Sequence, residues 1–128
     1  MVTVSDSYKL IGIVDDEASI RVALTRLCSA YGLNPQPYAS AQELFDSLRE
    51  GRRPDCLVLD VHMPGMSGLE ILEWLRERSY TIPTVMITGR EDEQLRARSL
   101  ALGAHAYLFK PVTAETLLNA IRNAVGPG

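Results

Sequence analysis

The sequence predicts an α/β fold, a doubly wound parallel sheet of five βα units in the strand order 2-1-3-4-5. Short β-type runs alternate with helical patterns from end to end, with no internal repeat, which is the pattern of βα units on a parallel sheet. Three of those runs are almost wholly apolar, as central strands covered on both faces must be. The one run that carries prolines belongs at a sheet edge, where missing N–H donors are tolerated, and the 2-1-3-4-5 order leaves the second strand there.

LIGIV at 10–14 reads as the first central strand. Ile20, Leu24, Leu27 and Tyr31 then recur at helical spacing, and Gly32 closes that stripe. NPQPY at 34–38 is the edge strand, because Pro35 and Pro37 cannot donate to a ladder. Ala41, Leu44, Phe45 and Leu48 form a second stripe closed by Gly51, and Ser40 with Glu43 reads as a capping box at its start. CLVL at 56–59 is the next buried strand and runs into Asp60. Pro64, Gly65 and Gly68 then forbid regular structure until Ser67 and Glu70 cap the LEILEWL helix, in which Trp74 reads as a packing or surface aromatic.

TVMIT at 84–88 is the third buried strand. EDEQLRARSLALG at 91–103 has a thin apolar face of Leu95, Ala97, Ala101 and Leu102, and is expected to be the most loosely held helix. AYLF at 106–109 is a short last strand, and Thr113 caps a final stripe of Leu117, Leu118, Ile121, Ala124 and Val125.

The totals bound the function. A chain of 128 residues suits a single domain spanning 1–128 with one core. Its 46% hydrophobic and 23% charged residues are ordinary globular proportions. A net charge of −3 gives no reason to expect direct nucleic acid binding. Cys28 and Cys56 lack metal or redox spacing and read as buried free thiols of a reducing compartment. No window approaches the ~18 apolar residues of a membrane span, and the opening MVTVSDSYKL lacks signal-peptide character, so a cytoplasmic location and no membrane partner are expected. Gly126-Pro127-Gly128 resembles the beginning of a linker.

Polar residues stand where the central strands end. LIGIV runs into Asp15-Asp16-Glu17, CLVL into Asp60, TVMI into Thr88-Gly89, and AYLF into Lys110-Pro111. In an open parallel sheet those ends share one crevice beside the switch point between the first and third strands. Each residue alone has a plainer account: Asp15 and Asp16 as helix caps, Thr88 as a strand residue, Lys110 as a solvated cation, and the Pro and glycines after Asp60 as turn chemistry. Four strand ends supplying complementary groups together favour a site.

Clustered carboxylates resist ionising together unless a cation joins them, and Mg²⁺ suits hard oxygen donors while leaving positions for a phosphoryl oxygen. Asp60, backed by hydrophobic residues, is then placed as a nucleophile that forms an aspartyl phosphate, with Lys110 as a point cation toward the phosphoryl group. Thr88 can donate a hydrogen bond, and the small Gly89 is expected to leave room for access.

DDE at 15–17, LDVHMPGMSG at 59–68, TG at 88–89 and KP at 110–111 together resemble the signature of response-regulator receiver domains over roughly residues 8–125. The wording LDVHMPGMSGLE and IPTVMITG is most similar to FixJ-like regulators, which usually carry a LuxR-type helix-turn-helix output domain. The resemblance implies a flavodoxin- or CheY-like fold and a switch that catalyses only its own phosphorylation on Asp60 and dephosphorylation, with a sensor histidine kinase as donor. It implies Mg²⁺ bound by Asp16 and Asp60, by the backbone carbonyl of His62, and by Asp15 chiefly through water. It makes Thr88 and Tyr107 the switch pair, puts Lys110 on the phosphoryl oxygens, and makes the Lys110–Pro111 bond cis. The side chains of His62 and Arg90 are expected to affect water access and hydrolysis. The 88–110 face, with the last helix, is expected to meet a partner or a second copy through residues 91–125, in the service of transcription regulation.

Three rival readings are weaker. A flavin carrier needs backbone donors after the first strand, where this chain has acids. A phosphatase acting on external substrates needs a second acid near Asp60, where His62 stands instead. A degenerate receiver serving only as a scaffold would have lost site residues that are all present.

Overall fold

The computed structural model describes residues 9–126. Most of the opening stretch, and Pro127 and Gly128 of the expected linker, lie outside the described residues. Strands β1 (Leu10–Val14), β2 (Asn34–Tyr38), β3 (Cys56–Asp60), β4 (Thr84–Thr88) and β5 (Ala106–Phe109) alternate with five helices. These are α1 (Ala18–Ala30), α2 (Ala41–Arg49), α3 (Gly68–Glu77), α4 (Glu93–Ala101) and α5 (Ala114–Val125). The sheet is parallel throughout in the order β2-β1-β3-β4-β5, as the alternation and the prolines require. Pro35 and Pro37, two residues apart, share one side of β2, and β2 has a strand neighbour only in β1.

Alternate strand residues feed two cores. Leu57, Leu59 and Met86 pack with Leu44, Phe45, Ile71, Leu72 and Leu75 from α2 and α3. Cys56, Val58, Val85 and Ile87 pack with Leu24, Cys28, Leu117 and Ile121 from α1 and α5. Both cysteines are buried free thiols, and burial pushes them up, to about 11 for Cys28 and about 12 for Cys56, so both remain protonated and inert at neutral pH.

The structure corrects four local expectations. Tyr31 is not part of the buried α1 stripe: the helix ends at Ala30, Tyr31 is 55% exposed, and Cys28 fills the inner position. At α2 only half of the capping box forms. Ser40 accepts from the Glu43 amide, while the Glu43 carboxylate reaches the amide of Ala39, one residue earlier. At α3 the Ser67–Glu70 box is complete. In α4, Ala97 and Ala101 face solvent, and the buried residue is Ser99, whose hydroxyl donates to the Leu95 carbonyl. Trp74 is a packing residue, stacked on Phe45 at 3.8 Å between ring centroids. The fourth correction concerns Gly89. A side-chain carbon there would meet nothing within 4 Å, so the opening beside it is wide without needing glycine.

Candidate functional site

The acids gather because β1 and β3 are neighbours in register, Val14 opposite Leu59, so that the next residue of each strand or its loop emerges at the same edge. One carboxylate oxygen from each of Asp15, Asp16 and Asp60 lies within 4.8 Å of the others. Asp15 and Asp60 are buried, and Asp16 is exposed. Lys110, at the end of β5, brings its ammonium to 3.4 Å from Asp60 Oδ1, 3.5 Å from Asp15 Oδ2 and 3.8 Å from Glu17 Oε1. The bond it forms with Pro111 is cis.

The loop after β3 is anchored from both sides. The Val61 amide donates to Ile87 O, and the Gly68 amide donates to Val61 O. A Cβ at Gly68 would stand 2.5 Å from Asp60 O and 3.0 Å from Val61 Cα, both backbone atoms that cannot yield. Glycine at 68 is therefore what lets α3 begin directly against the strand that carries Asp60. The His62 amide approaches Asp60 Oδ1 at 3.4 Å, while the His62 side chain is exposed.

Electrostatics follow burial. Asp60 is pushed up to about 6, first by loss of solvent and then by the charge of Asp15, against the opposing pull of Lys110. Burial works against the Lys110 ammonium, but Asp60, Asp15 and Glu17 outweigh it and raise its pKa above the usual value. Asp15 Oδ1 accepts from the Glu17 amide at 2.9 Å, a turn bond before the helix; Glu17 is the N-cap of α1 and no side chain caps that helix, so the plainer capping role of Asp15 and Asp16 does not hold. Asp15 Oδ2 is buried with no hydrogen-bond partner; Lys110 is near enough to attract it but is not aligned to bond it. A buried carboxylate oxygen without a donor is costly. A hard divalent cation shared by the three acids would satisfy it and relieve their repulsion, so the donor set fits Mg²⁺.

Thr88 is fully buried at the end of β4, its hydroxyl engaged with both backbone atoms of Arg90, at 3.2 Å to the carbonyl and 3.1 Å from the amide. The Lys110 amide donates to Thr88 O at 2.7 Å, tying the two strand ends. Tyr107 is turned inward, edge-on to the exposed Phe109. Burial raises its phenol. The Thr88 hydroxyl beside it lowers it in part, yet that hydroxyl is committed to Arg90 and the phenol oxygen has no hydrogen-bond partner. A groove of about 570 Å³ lined by Ser19, Ile20, Ala23, Gly89, Lys110 and Pro111 opens next to this edge.

Two contributors escaped sequence reasoning. In the sequence Glu17 stands only as part of an acidic loop, and its contact with Lys110 depends on tertiary placement. Arg21 donates to the carbonyl of Asp15 at 2.7 Å. A cation so near a helix N-terminus, where the dipole favours an acid, was the signal available for it.

Comparison with known proteins agrees with this geometry. Residues 11–122 match the family model of the response regulator receiver domain. Response regulator protein TodT of Pseudomonas putida is 35% identical over 121 residues, covering 94% of this chain and 53% of that protein. Nodulation protein W of Bradyrhizobium diazoefficiens is 35% identical over 122 residues, covering 93% and 52%. The chain thus spans about half the length of the curated relatives it matches. Among solved structures, FixJ-N superposes with a TM-score of 0.84 at 30% identity over 91% of this chain and 92% of that one. The chemotaxis protein CheY4 of Vibrio cholerae gives 0.84 at 28% over 91% and 98%.

Proposed function

Because the chain belongs to the response regulator receiver domain family, we propose that it is a phosphorylation-dependent switch whose Asp60 accepts a phosphoryl group from the phosphohistidine of a sensor histidine kinase. The observation that carries this reading is the convergence of Asp15, Asp16, Asp60 and Lys110 at one edge of the sheet. Asp16, Asp60 and the His62 carbonyl would hold Mg²⁺, with Asp15 reaching it chiefly through a water. When bound, that ion offsets the carboxylate charge and attracts the phosphoryl oxygens.

An ionised Asp60 oxygen attacks phosphorus, the P–N bond to the donor breaks, and its electron pair stays on the imidazole nitrogen, which takes up a proton. Lys110 neutralises charge on the phosphoryl oxygens, and the Thr88 hydroxyl leaves Arg90 to donate to the new group. The added charge of about −1.5 to −2 is a local event until it biases a two-state element. Tyr107, whose phenol is unsatisfied, repacks with Thr88 and transmits the change to α4 and β5. Moving the population from mostly inactive to mostly active requires ~5 kcal/mol of differential stabilisation.

The chain is one receiver domain, acts in the cytoplasm, and serves an output that regulates transcription. Its relatives support that output by their names: TdiR of Thauera aromatica is a transcriptional regulatory protein. The 91–125 face pairs with a partner or a second copy once Asp60 is modified.

Intact-mass measurement with Mg²⁺ and acetyl phosphate tests the reading. One added phosphoryl group, dependent on Mg²⁺ and absent in Asp60→Asn, is expected. Full modification of Asp60→Asn, or none of the unaltered chain, would contradict it.

A further inference from the structure

We infer that Arg21 is a positioning residue for the metal site, acting on Asp16 through the peptide group that joins it to Asp15; this rests on the Mg²⁺ reading above. Asp15 is held at three points. Its amide donates to Tyr38 O, its Oδ1 accepts from the Glu17 amide, and its carbonyl accepts from Arg21 Nη1 at 2.7 Å. Asp16 has no comparable support: among the described residues its exposed carboxylate makes neither a hydrogen bond nor an ion pair, although it stands within 4.8 Å of the other two acids. The carbonyl of Asp15 and the amide of Asp16 form one planar unit. Fixing that carbonyl fixes the plane, and with it the direction in which Asp16 leaves the strand.

Arg21 can do this because helical side chains lean toward the N-terminus, so a residue in the opening turns of α1 reaches back over the loop. Its own backbone is anchored, the amide donating to Glu17 O and the carbonyl accepting from Thr25 Oγ1. The guanidinium has no ion pair with any of the three carboxylates, whose counter-charge is Lys110.

That distinction sets the sign of the test. A guanidinium acting as counter-charge competes with a cation, and its removal tightens Mg²⁺ binding. A guanidinium that orients a ligand favours the cation, and its removal weakens binding. Groups that orient metal ligands typically contribute 10–100-fold in affinity.

The experiment measures Mg²⁺ affinity by calorimetric titration and amide exchange at Asp16 and Glu17 in the metal-free protein. It compares the unaltered chain, Arg21→Met, Arg21→Lys and the neighbouring Arg26→Ala. Arg21→Met keeps the packing of the stem, and is expected to bind Mg²⁺ about tenfold more weakly and to exchange faster at Glu17, whose amide donates to Asp15 Oδ1. Arg21→Lys, with one donor group in place of the fork, should fall between, and Arg26→Ala should match the unaltered chain. Equal or tighter binding by Arg21→Met overturns the inference. Should that variant fail to fold, unchanged affinity and exchange in Arg21→Lys overturns it, and weakened binding with faster exchange supports it. Absence of Mg²⁺ binding by the unaltered chain instead removes the metal reading on which the inference rests.

Discussion

Helices α3 and α4 are neighbours of similar length, and they are held in opposite ways. Helix α3 buries Leu69, Ile71, Leu72 and Leu75, starts from a complete capping box, and abuts the strand of Asp60 through Gly68. Helix α4 buries one residue, Ser99, and its Asp92 cap accepts a single hydrogen bond. Leu95 of α4 and Leu102 just beyond it pack only at the margin of the core that α3 fills, and between the two helices runs an exposed Arg98–Glu73 pair at 3.9 Å. Each fully buried aliphatic side chain contributes roughly 1.5–3 kcal/mol, so α3 is fixed by the core, while α4, with half-buried Leu95 as its apolar contact, is held only at the core's margin. A switch needs both: a rigid element to keep the acids in place, and a weakly held one whose arrangement a few kcal/mol can alter.

The largest contrast should come from the cores. Leu72→Ala is expected to lower stability by about 2–5 kcal/mol, whereas Leu95→Ala, at a half-buried site on α4, should lower it by less than about 1.5 kcal/mol. Urea denaturation of the two variants measures this, and equal losses would erase the distinction between the helices.

A smaller effect probes the electrostatic stress that the rigid half tolerates. Burial, then the charge of Asp15, pushes Asp60 up to about 6 in the folded chain from the 3.8 of a free carboxyl, so the folded state holds this proton more tightly than the unfolded one. The resulting penalty is absent below the lower value, grows as pH rises through 6, and is complete above it. Asp60→Asn should therefore stabilise the metal-free protein at pH 7.5 by on the order of 1–2 kcal/mol after allowance for solvent screening, with the gain fading toward pH 4. Melting temperatures taken from pH 4 to 8 in chelator check the trend; a gain that grew on acidification would refute it.

The smallest effect belongs to the Arg98–Glu73 pair. Both side chains are well exposed, so Arg98→Ala should change global stability by less than about 0.5 kcal/mol. Hydrogen exchange within α4 should respond more than unfolding does, because local opening reads the tether directly. A change confined to α3 amides would place the tether's effect on the wrong helix.

Much of this molecule was legible before any coordinates. LIGIV, CLVL and TVMIT are strands because apolar side chains alternate to two covered faces, and NPQPY lies at the edge because two prolines lack donors. The thin apolar face of 91–103 foretold a loosely packed α4, though its inward residue proved to be Ser99 rather than alanine. The acids, Thr88 and Lys110 were legible as strand-end residues, since strand direction and order alone bring such ends to one edge.

What remained hidden involves atoms whose partners lie across turns or between elements. The pairing of Arg21 with a carbonyl six residues earlier, the contact of Glu17 with Lys110, and the shift of the Glu43 bond to Ala39 all depend on loop paths that hydrophobic periodicity does not encode. So do the commitment of Thr88 to Arg90 and the unsatisfied oxygens of Asp15 and Tyr107. Burial pattern determines which elements form and which way they face, because apolar area is large and non-directional. Hydrogen bonds and charge pairs are short-ranged and directional, so only the folded arrangement of the chain decided them.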